Sequence, residues 1–238
     1  AYRLEASLLM EHFLGCGRYE AVVHPERVAD EEAVAKMLSA AQERVNGRPL
    51  QYILGEWEFY GRTFRVGEGV LIPRGDTETL IDVVLPYAKG RAGLQILDLC
   101  SGTGCIAVTL QQELDGTSVC AVELSDAAMP YLLENVRRYG SGVRMVQGDV
   151  LSPGLPKQIG GHFDVIVSNP PYLTRRDMEL LQREVAFEPQ RALDGGADGL
   201  LFYRALTGLW IPLLSPGGML AVEVGAGQHD DVMMLMRG

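Results

Sequence analysis

Leu94-Gln95-Ile96-Leu97-Asp98-Leu99-Cys100-Ser101-Gly102-Thr103-Gly104 decides the fold. It opens as a short, mostly apolar run, passes into a loop with two nearby glycines, and continues into an apolar helical pattern over 105–114. A strand, a tight glycine loop and a helix form the first half of a βαβ unit. The same alternation repeats outward. Residues 118–122 read as a second strand and 127–138 as a second helix. Residues 143–146 and 163–167 read as the third and fourth strands. A helix at 200–213, a strand at 219–224 and a terminal helical stretch complete the series. Apolar strands alternating with helices predict an α/β fold, a parallel sheet with helices on both faces.

Upstream the pattern differs. Leu4, Leu8, Leu9 and Phe13 recur at helical spacing before Gly15 and Gly17. Asp30 can cap a second helix, with Glu31 and Glu32 in its first turn and Val34, Met37, Leu38, Ala41 and Val45 as its apolar face. Trp57, Phe59, Tyr60, Phe64 and Val66 surround Gly61, which predicts a β-hairpin. A turn at Pro73-Arg74-Gly75 feeds a helix over 76–87. These boundaries predict a helical domain at 1–55, a hairpin linker at 56–72 and a main domain at 73–238.

Composition excludes several classes. The 238 residues carry 21 Lys+Arg against 31 Asp+Glu, a net charge of -10. That disfavours broad contact with a nucleic-acid backbone, which rests on basic side chains. No membrane span or signal peptide is expected, and the reading is cytoplasmic. Cys16, Cys100, Cys105 and Cys120 form no CxxC pair and read as reduced thiols. His12, His24, His162 and His229 are isolated, so no metal site is expected. The chain starts at Ala1 rather than Met, which reads as a fragment or a trimmed chain.

Two segments carry chemistry. Glycines between strand and helix let a backbone approach a ligand beside free helix N–H groups. Glu123 ends the second strand, ~20 residues further on, where an acidic group accepts hydrogen bonds from ribose hydroxyls. Asp149 follows the third strand on the same sheet edge. Together they predict an adenosine-containing cofactor; the loop is not GxGxxG, which weakens a dinucleotide reading, and a structural turn with no ligand is the plain alternative. The second segment is Ser168-Asn169-Pro170-Pro171-Tyr172. Its prolines fix φ and remove two donors, leaving the Asn169 side-chain oxygen and the Pro170 carbonyl as acceptors. Two fixed acceptors can grip both hydrogens of a planar NH₂ group, orient its nitrogen and stabilise developing positive charge. Tyr172 offers an aromatic face for packing.

On 98–104, Glu123 and 169–172 the chain resembles the S-adenosylmethionine-dependent amino-methyltransferases of the Rossmann-like class. More closely it resembles the HemK/PrmC family of protein-(glutamine-N5) methyltransferases. The N-terminal helices, Arg48–Gly55, the hairpin, Leu71–Glu78, Phe187-Glu188-Pro189 and Ala192-Leu193 extend that likeness over nearly the whole chain. The resemblance implies a fold of that class, with the helical 1–55 unit for substrate recognition. It implies S-adenosylmethionine as cofactor and the glutamine of a Gly-Gly-Gln loop in a class I peptide chain release factor as substrate. Glutamine methylation of a ribosomal protein and adenine-N6 methylation of nucleic acid remain the alternatives, with no direct nucleic-acid substrate expected.

The implied roles follow by position. Asp98, Cys100, Ser101, Gly102, Thr103 and Gly104 form the cofactor loop, holding the methionine part. Glu123 holds the ribose, and Asp149 and Val150 flank the adenine. Asn169 and Pro170 are the catalytic pair on the substrate amide, Asn169 also touching the cofactor. Pro171 and Tyr172 shape the slot, while Arg74 and Glu188 stand near its entrance. Glu123 takes a place where relatives often have Asp, and Cys100 a place where Gly is more frequent. The resemblance also implies two further strands that these 238 residues do not reach, which would leave a sheet edge open.

Overall fold

The computed structural model describes residues 2–237. Four helices come first: α1 (Tyr2–Leu14), α2 (Arg18–Val23), α3 (Glu31–Val45) and α4 (Leu50–Leu54). Asp30 Oδ2 accepts from the Ala33 N–H at 2.9 Å, the expected cap of α3. Leu9, Ala40 and Leu50 form a small core with Leu8, Phe13, Met37 and Ala41 packed against it. The face assigned to α3 is only partly the buried one, because Leu38 and Val45 point outward and are 60% and 70% exposed. Ala40 takes the central place because two helices crossing closely leave no room for a longer side chain.

The hairpin pairs β1 (Glu56–Phe59) with β2 (Arg62–Arg65) around Tyr60-Gly61. Gly61 has φ +69°, the left-handed geometry a tight hairpin requires. A 3-10 turn at Gly75–Thr77 then leads into α5 (Glu78–Ala88). The α-helix proper starts at Glu78 rather than 76 because residues 75–77 are wound as the 3-10 turn.

The main domain alternates β3 (Gln95–Leu99), α6 (Cys105–Glu113), β4 (Ser118–Glu123), α7 (Met129–Arg138) and β5 (Arg144–Gln147). It continues with α8 (Leu155–Ile159), β6 (Phe163–Ser168), α9 (Arg175–Glu179), α10 (Leu201–Ala205), β7 (Leu214–Val222) and α11 (His229–Arg237). The five strands are all parallel in the order β5-β4-β3-β6-β7. Alternation along β3 divides the core. Ile96 faces α5, α6 and α7 with Val165 and Val167, while Leu97 and Leu99 face the other layer with Ile166, Tyr203 and Trp210. Both faces are covered, which explains why these strands read as apolar runs.

The single helix read at 200–213 is three pieces. After α10 the chain makes a π turn over Leu206–Trp210 and a 3-10 turn over Ile211–Leu213. Thr207 Oγ1 donates to the Tyr203 and Arg204 carbonyls, both at 3.1 Å, and Pro212 supplies no N–H. The widened turn buries Trp210, whose Nε1 donates to the Val150 carbonyl at 2.9 Å. Strand β7 begins earlier than 219 because pairing resumes across Ser215-Pro216-Gly217-Gly218. Leu214 pairs with Phe163 and Met219 with Val165, and the intervening residues bulge out.

Candidate active site

The loops after β3 and β6 open into one crevice. Leu99 and Ser168 are paired neighbours, and Ser168 Oγ donates to the Leu99 carbonyl at 2.6 Å. The chain runs β3, β4, β5 to one edge and then returns to lay β6 on the other side of β3. Such a reversal of strand order parts the following loops and leaves a ligand-sized cleft.

A cleft occupies this position. Cys100, Ser101, Gly102 and Thr103 form one wall. Glu123, Asp149 and Val150 come from the ends of β4 and β5, and Asn169 and Pro171 from the end of β6. Val70, Ile72, Leu124 and Phe202 supply apolar surface. Glu123 is held by two backbone donors: Oε2 accepts from Gly102 N–H at 2.8 Å and Oε1 from Ser125 N–H at 2.7 Å. Each oxygen keeps a further lone pair for a hydroxyl donor. Asp149 Oδ1 accepts from Leu151 N–H at 2.8 Å.

Two loop residues do something other than line the cleft. Gly104 has φ +79°, and a Cβ there would lie 2.4 Å from Leu132 Cδ1, so it lets α6 pack against α7. Asp98 is fully buried on the Ile96 face of the sheet, behind the loop, and neither carboxylate oxygen has a hydrogen-bond partner. Burial pushes its carboxyl up to about 7. Its main-chain carbonyl accepts from Ser101 Oγ at 3.0 Å, so Asp98 supports the loop from beneath.

Cys100 adopts φ +65°, one of two non-glycine residues with positive φ among those described. That conformation costs an L-residue ~1–2 kcal/mol, partly balanced by the lower chain entropy of a non-glycine residue. Cys100→Gly is expected to stabilise the fold by about 1 kcal/mol, read as a rise in thermal midpoint. Burial also pushes the Cys100 thiol well above its ordinary range, which leaves it a poor nucleophile.

A second cleft adjoins the first. Pro170, Tyr172, Leu173, Leu180 and Val185 line it. Asn169 and Arg74 line both clefts. Arg74 is ion-paired to the buried Glu188, whose other oxygen accepts from Ile72 N–H at 3.0 Å. Behind the motif, Gly195 lies so close to Tyr172 that a Cβ would stand 2.7 Å from the Tyr172 Cα. Leu173 N–H donates to the Leu193 carbonyl at 2.9 Å, and Gly195 N–H to the Leu173 carbonyl at 2.8 Å. The Asn-Pro-Pro-Tyr turn is therefore rigid from both sides.

Two polar residues absent from the site reading, Thr77 and Glu223, meet here, and a third, Asn135, lies apart beneath the glycine loop. Asn169 Nδ2 donates to Thr77 Oγ1 at 3.0 Å, and Thr77 Oγ1 donates to Glu223 Oε2 at 2.6 Å. Tyr172 Oη donates to Glu223 Oε1 at 3.2 Å. Asn135 is fully buried and ties the glycine loop to the hairpin: Nδ2 donates to Thr103 and Arg65 carbonyls at 2.9 and 3.1 Å, and Oδ1 accepts from Arg65 N–H at 2.7 Å. Thr77 lies in the segment quoted for the resemblance, whereas nothing local in the sequence distinguishes Asn135 or Glu223.

The donor set suits a nucleoside ligand carrying positive charge. Glu123 can accept from hydroxyls, apolar side chains can sandwich a flat ring, and the Gly102 turn has φ +54°, so the loop can be approached closely.

Comparison with known proteins agrees with this geometry. Residues 1–55 match the PrmC N-terminal domain and residues 77–199 the methyltransferase small domain. A release factor glutamine methyltransferase of Geobacter sulfurreducens is 41% identical over 232 residues, covering 97% of this chain and 80% of the relative. One from Koribacter versatilis is 39% identical over 236 residues, covering 99% and 83%. A solved methyltransferase from Pyrococcus furiosus superposes with a TM-score of 0.54 at 20% identity, covering 87% of each chain, and shares the fold. A likeness of this strength runs through both the helical unit and the cleft-bearing sheet, and on it the chain belongs to the release factor glutamine methyltransferase family.

Proposed function

We propose that this chain transfers a methyl group from S-adenosylmethionine to the side-chain amide nitrogen of the glutamine in the Gly-Gly-Gln loop of a class I release factor. The observation that carries the reading is Asn169, which stands at the wall between two adjoining clefts. One cleft has the glycine loop and Glu123, and the other has Pro170 and Tyr172.

Bound S-adenosylmethionine supplies a methyl group on a sulfonium, which leaves as a neutral thioether. Ser101, Gly102 and Thr103 hold its amino-acid part, Glu123 accepts from the ribose hydroxyls, and Asp149 and Val150 flank the adenine. Asn169 Oδ1 and the Pro170 carbonyl accept the two N–H bonds of the substrate carboxamide. A carboxamide nitrogen is a poor nucleophile because its lone pair is delocalised into the carbonyl. Two fixed acceptors aim that nitrogen and favour the positive charge it gains as the new bond forms. Proton release to solvent can follow attack, so no side-chain base is required. Pro171 and Tyr172 set the width of the slot.

The helices of 1–55 are proposed as the docking surface for the protein substrate. Tyr19 and Val22 on α2 are 88% and 74% exposed, and Val28 in the connector to α3 is 91% exposed, so apolar side chains are available for contact there. Among the described residues no helix is long and apolar enough to cross a membrane.

Incubation with methyl-labelled S-adenosylmethionine and a class I release factor is expected to place one methyl group on the Gly-Gly-Gln glutamine, located by peptide mass spectrometry. Label appearing instead on a ribosomal protein or an oligonucleotide overturns the substrate assignment.

A further inference from the structure

We infer that Thr77 and Glu223 are positioning residues that fix which end of the Asn169 amide faces the cleft. The inference deepens the proposed methyl transfer and rests on it. An amide end can be turned over at little steric cost, because its oxygen and nitrogen are almost the same size. Only one orientation puts an acceptor on the substrate N–H. The hydrogen-bond chain selects it.

A carboxylate offers lone pairs and no proton. Glu223 Oε2 therefore takes the single proton of Thr77 Oγ1, at 2.6 Å. With its proton committed, Thr77 Oγ1 can only accept from Asn169, at 3.0 Å, and only Nδ2 can donate to it. A flipped Asn169 would set Oδ1 against a hydroxyl oxygen with nothing to give. Polarity thus runs from Asn169 through Thr77 to Glu223 and leaves Asn169 Oδ1 free. Bonds aligned this way polarise one another, which raises electron density on that oxygen.

Three elements supply the chain. Thr77 sits at the entry to α5, Asn169 follows β6, and Glu223 follows β7, whose end is paired to β6 through Ser168 and Val222. Glu223 N–H donates to the Ser168 carbonyl at 3.0 Å, and the Glu223 carbonyl accepts from Tyr203 Oη at 2.9 Å, so its backbone is anchored on both sides. Its second oxygen accepts from Tyr172 Oη, so one carboxylate orients both polar members of the Asn-Pro-Pro-Tyr motif. Thr77 is buried and stands where a threonine would ordinarily cap a helix, yet its hydroxyl is not spent on the α5 backbone.

The test compares Thr77→Val, which removes the hydroxyl at constant shape, with Thr77→Ser, which keeps it. Thr77→Val is expected to lower kcat for release-factor methylation about 30- to 100-fold. The dissociation constant for S-adenosylmethionine should move less than about 3-fold, and Thr77→Ser should recover most of the loss. In an Asn169→Ala background Thr77→Val should cost almost nothing more, because its effect passes through Asn169. Independently of turnover, the Asn169 side-chain NH₂ signals in ¹⁵N NMR are expected to shift and lose exchange protection in Thr77→Val. An undiminished kcat in Thr77→Val, an equal loss in the Asn169→Ala background, or unchanged Asn169 NH₂ signals overturns the inference. Absence of methylation by the parent chain counts against the proposed function instead, and the NMR comparison still decides the relay.

Discussion

Asn169→Ala is expected to reduce kcat for glutamine methylation by about 10²–10³, a loss of ~3–4 kcal/mol in transition-state stabilisation. In the proposed mechanism alanine deletes one of the two acceptors that would define the position of the reacting nitrogen. The Pro170 carbonyl remains, but a carboxamide held by one N–H can rotate about that bond, and its lone pair then points away from the methyl donor for most of the time. On that reading the lost acceptor would also face the charge that builds on nitrogen, so the effect should fall on kcat more than on KM. Cofactor affinity should change little, because the proposed cofactor contacts at Glu123 and the Ser101–Thr103 backbone are untouched. Asn169→Asp provides a sharper comparison. Its two oxygens include one directed at Thr77 Oγ1, whose proton already belongs to Glu223. Repulsion there should displace the side chain, so restoring an acceptor of the right size should not restore turnover. Single-turnover rates for both variants check this. A kcat within about 5-fold of the parent in Asn169→Ala would mean that another group holds the nitrogen.

Most of the sheet was legible because the relevant signals are local. The apolar runs of β3, β4 and β6, the glycine loop and the Pro-Pro turn are each contained in fewer than ten consecutive residues. Parallel pairing then brings their carboxyl ends to one edge without further information. The strand order was not legible, and it is the order that makes Leu99 and Ser168 neighbours. Partners joined across long stretches of chain left no local trace: Thr77 to Glu223 spans 146 positions and Arg74 to Glu188 spans 114. Asp98 shows a different limit. In sequence it belongs to the loop segment, but strand alternation places it with Ile96, facing inward beneath α6. The loop proper starts at Cys100, where φ turns positive. The π turn at Leu206–Trp210 was hidden for a similar reason, since its apolar spacing is helical and only the burial of Trp210 distinguishes it.

The inward placement of Asp98 has the second large consequence, on stability. Its carboxyl stands at about 7 in the folded chain, raised by burial from an ordinary value of 3.8. Between those two values the folded state keeps the proton and the unfolded chain releases it. The folded state is then the one that binds more protons, so stability falls as pH rises. The contribution is intact below about pH 4, declines through neutrality and levels off above pH 7, where both states are ionised. The difference between 3.8 and about 7 corresponds to at most ~4 kcal/mol. Asp98→Asn removes the titration and keeps the shape. Urea unfolding of the cofactor-free chain should therefore find the variant more stable than the parent at pH 8 by up to a few kcal/mol, and the difference should shrink toward zero or reverse at pH 5. The comparison isolates one group because every other titrating side chain is common to both proteins. A difference that stays constant from pH 5 to 8 would mean that the Asp98 carboxylate is ionised throughout. A buried charge of that kind needs a donor to hold it, and the neighbouring N–H groups at the start of α6 would have to move in to provide one.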